Sequence, residues 1–120
     1  MGKLRKRNEH LIKLIEELKI LSYKKNARIW KDIAKRLSKP SKNWAEVNIS
    51  RIARHAKKKE TILVPGKLLG AGSIDIPLTV AAFNSSESAK KKIEKAGGKA
   101  ITIQELMKAN PKGSSIRIMG

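Results

Sequence analysis

The spacing of apolar positions along the chain changes once, near residue 60. Before that point they recur every three or four residues. Leu11, Leu14, Ile15, Leu18 and Leu21 trace one helical face and predict a helix from Asn8 to Leu21, with Asn8 as its cap. A second helix is predicted from Asn26 to about Leu37, ending before Pro40, with Trp30, Ile33, Ala34 and Leu37 on one face. "VNISRIARHAKKK" repeats the pattern with Ile49, Ile52, Ala53 and Ala56. From Thr61 the runs shorten and become β-branched. "TILVPG", closed by Pro-Gly, and "IPLTVAAF" read as buried strands. "NSSESAKKKIEKAGG" offers capping residues from Asn84 to Ser86 and a stop at Gly97-Gly98, so it reads as a helix. "KAITI" is a third strand. "TIQELMKA" opens a last helix with Thr102 and Glu105 at capping-box spacing, ended by Pro111. Strand, helix, strand in succession implies parallel pairing. The fold class is therefore α/β: basic N-terminal helices (1–60) followed by a compact α/β body (61–120), joined in one integrated domain.

Charge sharpens this picture. The chain of 120 residues carries 28 Lys and Arg against 10 acids, a formal net charge of +18. A small domain needs only about +2 to +8 for solubility, so this excess calls for an anionic partner, most often nucleic acid. The imbalance is greatest early: residues 1–60 hold 19 basic and 6 acidic side chains, residues 61–120 hold 9 and 4. Opposite the apolar face of the second helix, Lys24, Arg28, Lys31 and Lys35 fall within a band of about 60°. Arg51, Arg54, His55 and Lys58 form the same kind of stripe on the third. Ordinary solvated faces mix both signs, and these do not. The leader "GKLRKRN" adds Lys3, Arg5, Lys6 and Arg7. The linker "LSKPSKNWAEVNIS" sets Lys39 and Lys42, which neutralise phosphate, beside Asn43 and Trp44. Trp44 either stacks on an unpaired base or pins its loop to the core. Trp30 belongs to the core. The linker is too long, and its proline too disruptive, for a helix-turn-helix.

Catalysis finds little support. The absence of cysteine removes thiolate metal sites, disulfides and cysteine nucleophiles, and fits a reducing compartment. His10 and His55 lack a partner acid or a second metal ligand in sequence reach, and no carboxylate pair stands out. "ILVPGKLLGAGSI" places three glycines after an apolar run, but position 71 is alanine where a Walker loop needs glycine, and Asp75 breaks the dinucleotide fingerprint. What remains is a loop in which Lys67 and backbone amides approach a sugar-phosphate backbone, or simply a turn between strands. The lysine triplet Lys90–Lys92, interspersed with Glu87 and Glu94, reads equally as binding or solvated. No cofactor or metal is expected. Nor is a signal peptide or membrane span, so a cytoplasmic location is expected.

The stretches "NISRI" (48–52), "VPGKLLG" (64–70), "AGGKAITIQEL" (96–106) and "NPKGSSIRIMG" together resemble the archaeal and eukaryotic large-subunit ribosomal protein family L-eighteen-e, related to bacterial L-fifteen. The resemblance covers nearly the whole chain. It implies a non-catalytic structural constituent of the large ribosomal subunit, bound to large ribosomal RNA and to neighbouring ribosomal proteins. It also implies an irregular β-β-α superhelical arrangement in the body. Carried over residue by residue, it makes Asn48, Ser50 and Arg51 RNA-contact candidates through "NISRI", and Lys67 through "VPGKLLG". "KPSKNWAE" departs from the proline-rich, arginine-bearing run of eukaryotic members. The alternatives are an architectural DNA-binding protein, which shares the charge logic, and a nucleotide-using enzyme, which the failed phosphate motifs disfavour.

Overall fold

The computed structural model describes residues 9–120. Helix α1 spans Glu9–Lys25 and α2 spans Arg28–Leu37. Asn26 separates them by taking a left-handed backbone (φ 51°), a conformation asparagine tolerates better than most residues. The predicted cap Asn8 lies outside the described residues.

The linker is not a plain loop. A 3-10 turn at Ser41–Asn43 leads into strand β1, Ala45–Asn48, and then α3, Ile49–His55. Strand β2 runs from Thr61 to Leu69, well past the Pro-Gly expected to close it. Its register slips between Val64 and Lys67, where Pro65 sits at the irregularity and has no ladder N–H to lose. Gly66 is needed there because a Cβ would collide with the carbonyl oxygen of Ala45 on β1. Strand β3 (Thr79–Ser85), helix α4 (Glu87–Lys95), strand β4 (Lys99–Thr102), helix α5 (Ile103–Ala109) and strand β5 (Ile116–Ile118) complete the chain. Ser86 caps α4 by accepting from the Ala89 amide, and Thr102 with Glu105 forms the expected capping box.

Every strand pairing is parallel. The order is β1-β2-β3-β4, and β5 also pairs with β2. The long β2 therefore shares one edge between two short strands: β5 lies beside Thr61–Leu63 and β1 beside Gly66–Leu69. Between β2 and β3 the crossover over 70–78 contains no helix, unlike the usual parallel connection. That is the irregular strand-strand-helix winding the resemblance implies.

The pleat divides the core in two. Ile62, Val64, Val80 and Ala82 face α3 and α4, meeting Ile49, Ile52, Ala89 and Ile93. Leu63 and Ala81 face the other way, toward Leu14 and Leu18 of α1, Trp30, Ile33 and Leu37 of α2, and Leu106 of α5. The result is a three-layer slab of 44 × 34 × 18 Å, helices on both faces of a parallel sheet. The first two helices are thus one cover of the sheet. Trp30 is fully buried, and its indole N–H donates to the Pro111 carbonyl at 2.7 Å, tying α2 to the segment after α5.

Candidate nucleic-acid interface

Helix α2 buries Trp30, Ile33, Ala34 and Leu37, so its geometry leaves Arg28, Lys31 and Lys35 on open surface. Helix α3 does the same on the other side of the sheet: Ile49 and Ile52 are buried, Arg51, Arg54 and His55 exposed. The two stripes read in the sequence are real surface features, but they lie in opposite layers. Each also loses a member. Lys24 belongs to the last turn of α1, across the break at Asn26, and lines a groove with Lys108 of α5. Lys58 follows the end of α3 and lies in the turn before β2.

That turn forms a second basic cluster. Lys57, Lys58, Lys59 and Arg117 line an open cavity of about 600 Å³. The Glu60 carboxylate accepts from the Lys57 amide at 2.8 Å and from the Arg117 guanidinium at 2.6 Å. The backbone bond from Lys57, and then Arg117, hold the Glu60 carboxyl below its ordinary pKa against an opposing effect of burial. Arg117 also donates to the His55 carbonyl at 3.2 Å, which links β5 to the end of α3. Sequence reasoning missed Arg117 because its strand was not recognised; nothing local connects it to residues 57 positions away.

A third cluster assembles at the β1 edge. Lys35, Lys39, Asn43 and Trp44 line a cavity of about 460 Å³ together with Asp32 and Arg36, which are paired to each other at 3.2 Å. Trp44 is half-buried. Its indole N–H donates to the Lys39 carbonyl at 2.9 Å, and its ring meets Phe83 edge-on at 5.1 Å. These contacts pin the loop and fix the ring in the cavity wall. Lys42 is exposed on the 3-10 turn.

The glycine segment has its polar groups largely occupied from within. The Asn48 amide oxygen accepts from the Ala71 N–H at 3.3 Å, and the Ser50 N–H donates to the Ala71 carbonyl at 2.9 Å. Lys92 donates to the Gly70 and Gly72 carbonyls at 2.6 Å each, so one member of the ambiguous lysine triplet braces this loop. Gly72 has φ +104° and packs so tightly on Ser50 that a side chain would clash. Asn48 is half-buried, whereas Ser50 is exposed at the start of α3. Lys67 is exposed, but it sits within β2, beside Glu46 and Asn84 in register, and not in the loop. Lys3, Arg5, Lys6 and Arg7 lie outside the described residues.

Among the described residues, no group of three or more His, Asp or Glu side chains is placed to hold a metal, and no helix is long and apolar enough to cross a membrane. Comparison with known proteins decides the family. Residues 2–120 match the family model described as ribosomal protein 60S L18 and 50S L18e. The chain belongs to this ribosomal-protein family. Its relatives in the family include the large ribosomal subunit protein eL18 of Methanococcus maripaludis, 50% identical over 99% of both chains. The protein of that name from Archaeoglobus fulgidus is 50% identical over 97% of this chain and 99% of its own. That from Methanoregula boonei is 52% identical over 95% and 94%. The match covers the helices and the sheet alike.

Proposed function

We propose that this protein is a non-catalytic structural constituent of the large ribosomal subunit, in the cytoplasm, and that it binds large-subunit ribosomal RNA. One observation carries the reading: in a chain of a ribosomal family, α2 and α3 bury Trp30, Ile33, Leu37, Ile49 and Ile52 in the core and leave their cations on open surface. Lysine and arginine neutralise phosphates and release counterions, which supplies affinity; RNA shape and unpaired bases supply specificity. Residues 1–60 supply most of this charge, and residues 61–120 complete the body. Because the stripes of α2 and α3 occupy opposite layers of a slab, the protein sits between RNA segments, not on one of them. The contacting groups are Lys24, Arg28, Lys31, Lys35, Lys39, Lys42, Asn43 and Trp44 toward the first cover of the sheet and its edge. Lys67 joins that side, on the face of β2 opposite Leu68; Asn48, Ser50, Arg51, Arg54, His55 and Lys58 serve the other, and the leader residues Lys3, Arg5, Lys6 and Arg7 add to them.

The combined change Arg51→Glu, Arg54→Glu and Lys58→Glu tests this. All three side chains are exposed, so folding by circular dichroism should be unchanged. Affinity for large-subunit RNA should collapse, and incorporation into subunits should be blocked. Normal incorporation of the folded triple variant would sink the assignment.

A further inference from the structure

The cavity at the sheet end where β2 and β5 begin belongs to neither helical stripe. It gathers Lys57, Lys58, Lys59 and Arg117 around a single carboxylate, Glu60. Both oxygens of that carboxylate are taken, one by the Lys57 amide and one by Arg117. Asp75, in the connection after β2, does not line the cavity. All three lysines are exposed and form no salt bridge among the described residues. Like charges crowded in this way repel one another, and an anion placed among them relieves the repulsion.

The cluster is also held in place. Arg117 Nε donates to Glu60 at 2.6 Å and Nη1 to the His55 carbonyl at 3.2 Å. Those bonds fix the guanidinium and leave its other N–H groups beside the cavity, in the planar fork that matches phosphate oxygens. The backbone is strained on both sides of the site. Among the described residues the non-glycine positions with positive φ are Asn26, Lys59 (64°) and Ser115 (60°), and Lys59 and Ser115 both line this cavity. Lysine and serine take that conformation less readily than asparagine. The two turns are secured by the Lys59 N–H on the Pro77 carbonyl at 2.7 Å and by the Asn110 side-chain amide on the Ser114 carbonyl at 2.8 Å. Strain retained by such bonds assembles the cations before a ligand arrives.

The cavity is open and measures about 600 Å³, many times the roughly 30 Å³ of a water molecule. That is room for a stretch of sugar-phosphate, not for one ion alone. The α3 stripe leads into it, since Arg54 and His55 end the helix and Arg117 bonds to the His55 carbonyl. An acidic peptide would also satisfy the charges, but continuity with the stripe favours RNA. We propose that this cavity clamps the sugar-phosphate backbone of large-subunit RNA, with Arg117 as the fixed fork and Lys57 and Lys59 neutralising the adjoining phosphates. The proposal rests on the ribosomal reading above and adds Lys57, Lys59 and Arg117, none of which either stripe contains.

Lys57→Gln combined with Lys59→Asn tests it. The bonds that hold the turn come from the backbone N–H groups of these residues, and asparagine tolerates a left-handed φ, so the fold is kept. Binding of the full chain to large-subunit RNA is measured over a range of salt, beside a control pair, Lys13→Gln with Lys19→Gln, both exposed on α1. In the site pair the log–log slope should shallow by about 1.4–1.8, at about 0.7–0.9 for each phosphate contact, and affinity at about 0.1 M salt should fall about thirtyfold. The control pair should keep the slope. An unchanged slope in the site pair, or equal shallowing in both pairs, would overturn the inference. Arg117→Lys keeps the charge and removes the fork, so it should bind about tenfold more weakly at the wild-type slope; wild-type affinity would contradict the fork. Saturable binding of inorganic phosphate with the RNA slope unchanged in the site pair would make this a small-anion site and overturn RNA as the occupant. A diazirine-bearing amino acid replacing Ser114, irradiated in assembled subunits, should cross-link to RNA, and a cross-link to another polypeptide instead would equally overturn it. Failure of the unsubstituted chain to bind large-subunit RNA would overturn the ribosomal reading itself.

Discussion

At the scale of single residues, several positions are fixed by what their neighbours leave no room for. Gly66 pairs with Ala45 of β1, and a methyl group there would meet the Ala45 carbonyl. Gly66→Ala should cost about 1–3 kcal/mol, the range for forced overpacking, read as a lower denaturation midpoint at unchanged slope. Wild-type stability in that variant would mean that the β1 edge yields freely. Glu60 makes a different prediction. Its folded pKa is depressed by the Lys57 amide and by Arg117, so its contribution is present above the unfolded carboxylate value and is lost as pH falls through the folded one. Stability measured from about pH 5 down to about pH 2 should therefore fall less steeply in Glu60→Gln than in wild type. Identical acid limbs would show that the Glu60 contacts contribute nothing to folding. Trp44 shows how one residue type supports two readings: its hydrogen bond to Lys39 and its contact with Phe83 make it a loop anchor in the free protein. It also lines the cavity of about 460 Å³ that Lys35, Lys39 and Asn43 share.

At the scale of elements, the capping box of α5 gives a direct test. Thr102→Ala removes the acceptor for the Glu105 amide and should destabilise the protein by about 1 kcal/mol, measured by chemical denaturation. An unchanged midpoint would mean that the helix start is held by its packing alone. This element and α1, α2 and α4 were legible from periodicity and cap residues, because a helix of two or more turns carries its own evidence. Strands β1 and β5 were not. Each is three or four residues long, too short for alternation to show, and each exists because β2 presents it with a free edge. The extent of β2 was misread for the same reason: Pro65-Gly66 looks like a stop until β1 is seen alongside. The candidate site was legible as charge, since the stripes on α2 and α3 follow from helical geometry. It was not legible as a surface. Lys24 and Lys58 left their stripes at breaks made by Asn26 and by the turn before β2, while Arg117 and Lys92 joined clusters through distant pairing.

At the scale of the whole molecule, the described residues form a thin slab with cations on both helical covers. That distribution suits the proposed component wedged among RNA segments. On the proposed reading, phosphate neutralisation supplies part of the affinity and RNA shape the rest. The most direct measurement is the affinity for large-subunit RNA over a range of salt, with duplex DNA as competitor. The account predicts tight binding that resists the DNA and persists at high salt. It also predicts a log–log salt slope that falls by about 0.7–0.9 for each phosphate contact removed by charge reversal on α2 or α3. A steep slope with equal loss to duplex DNA would contradict it, and would make the protein an architectural DNA binder by charge alone.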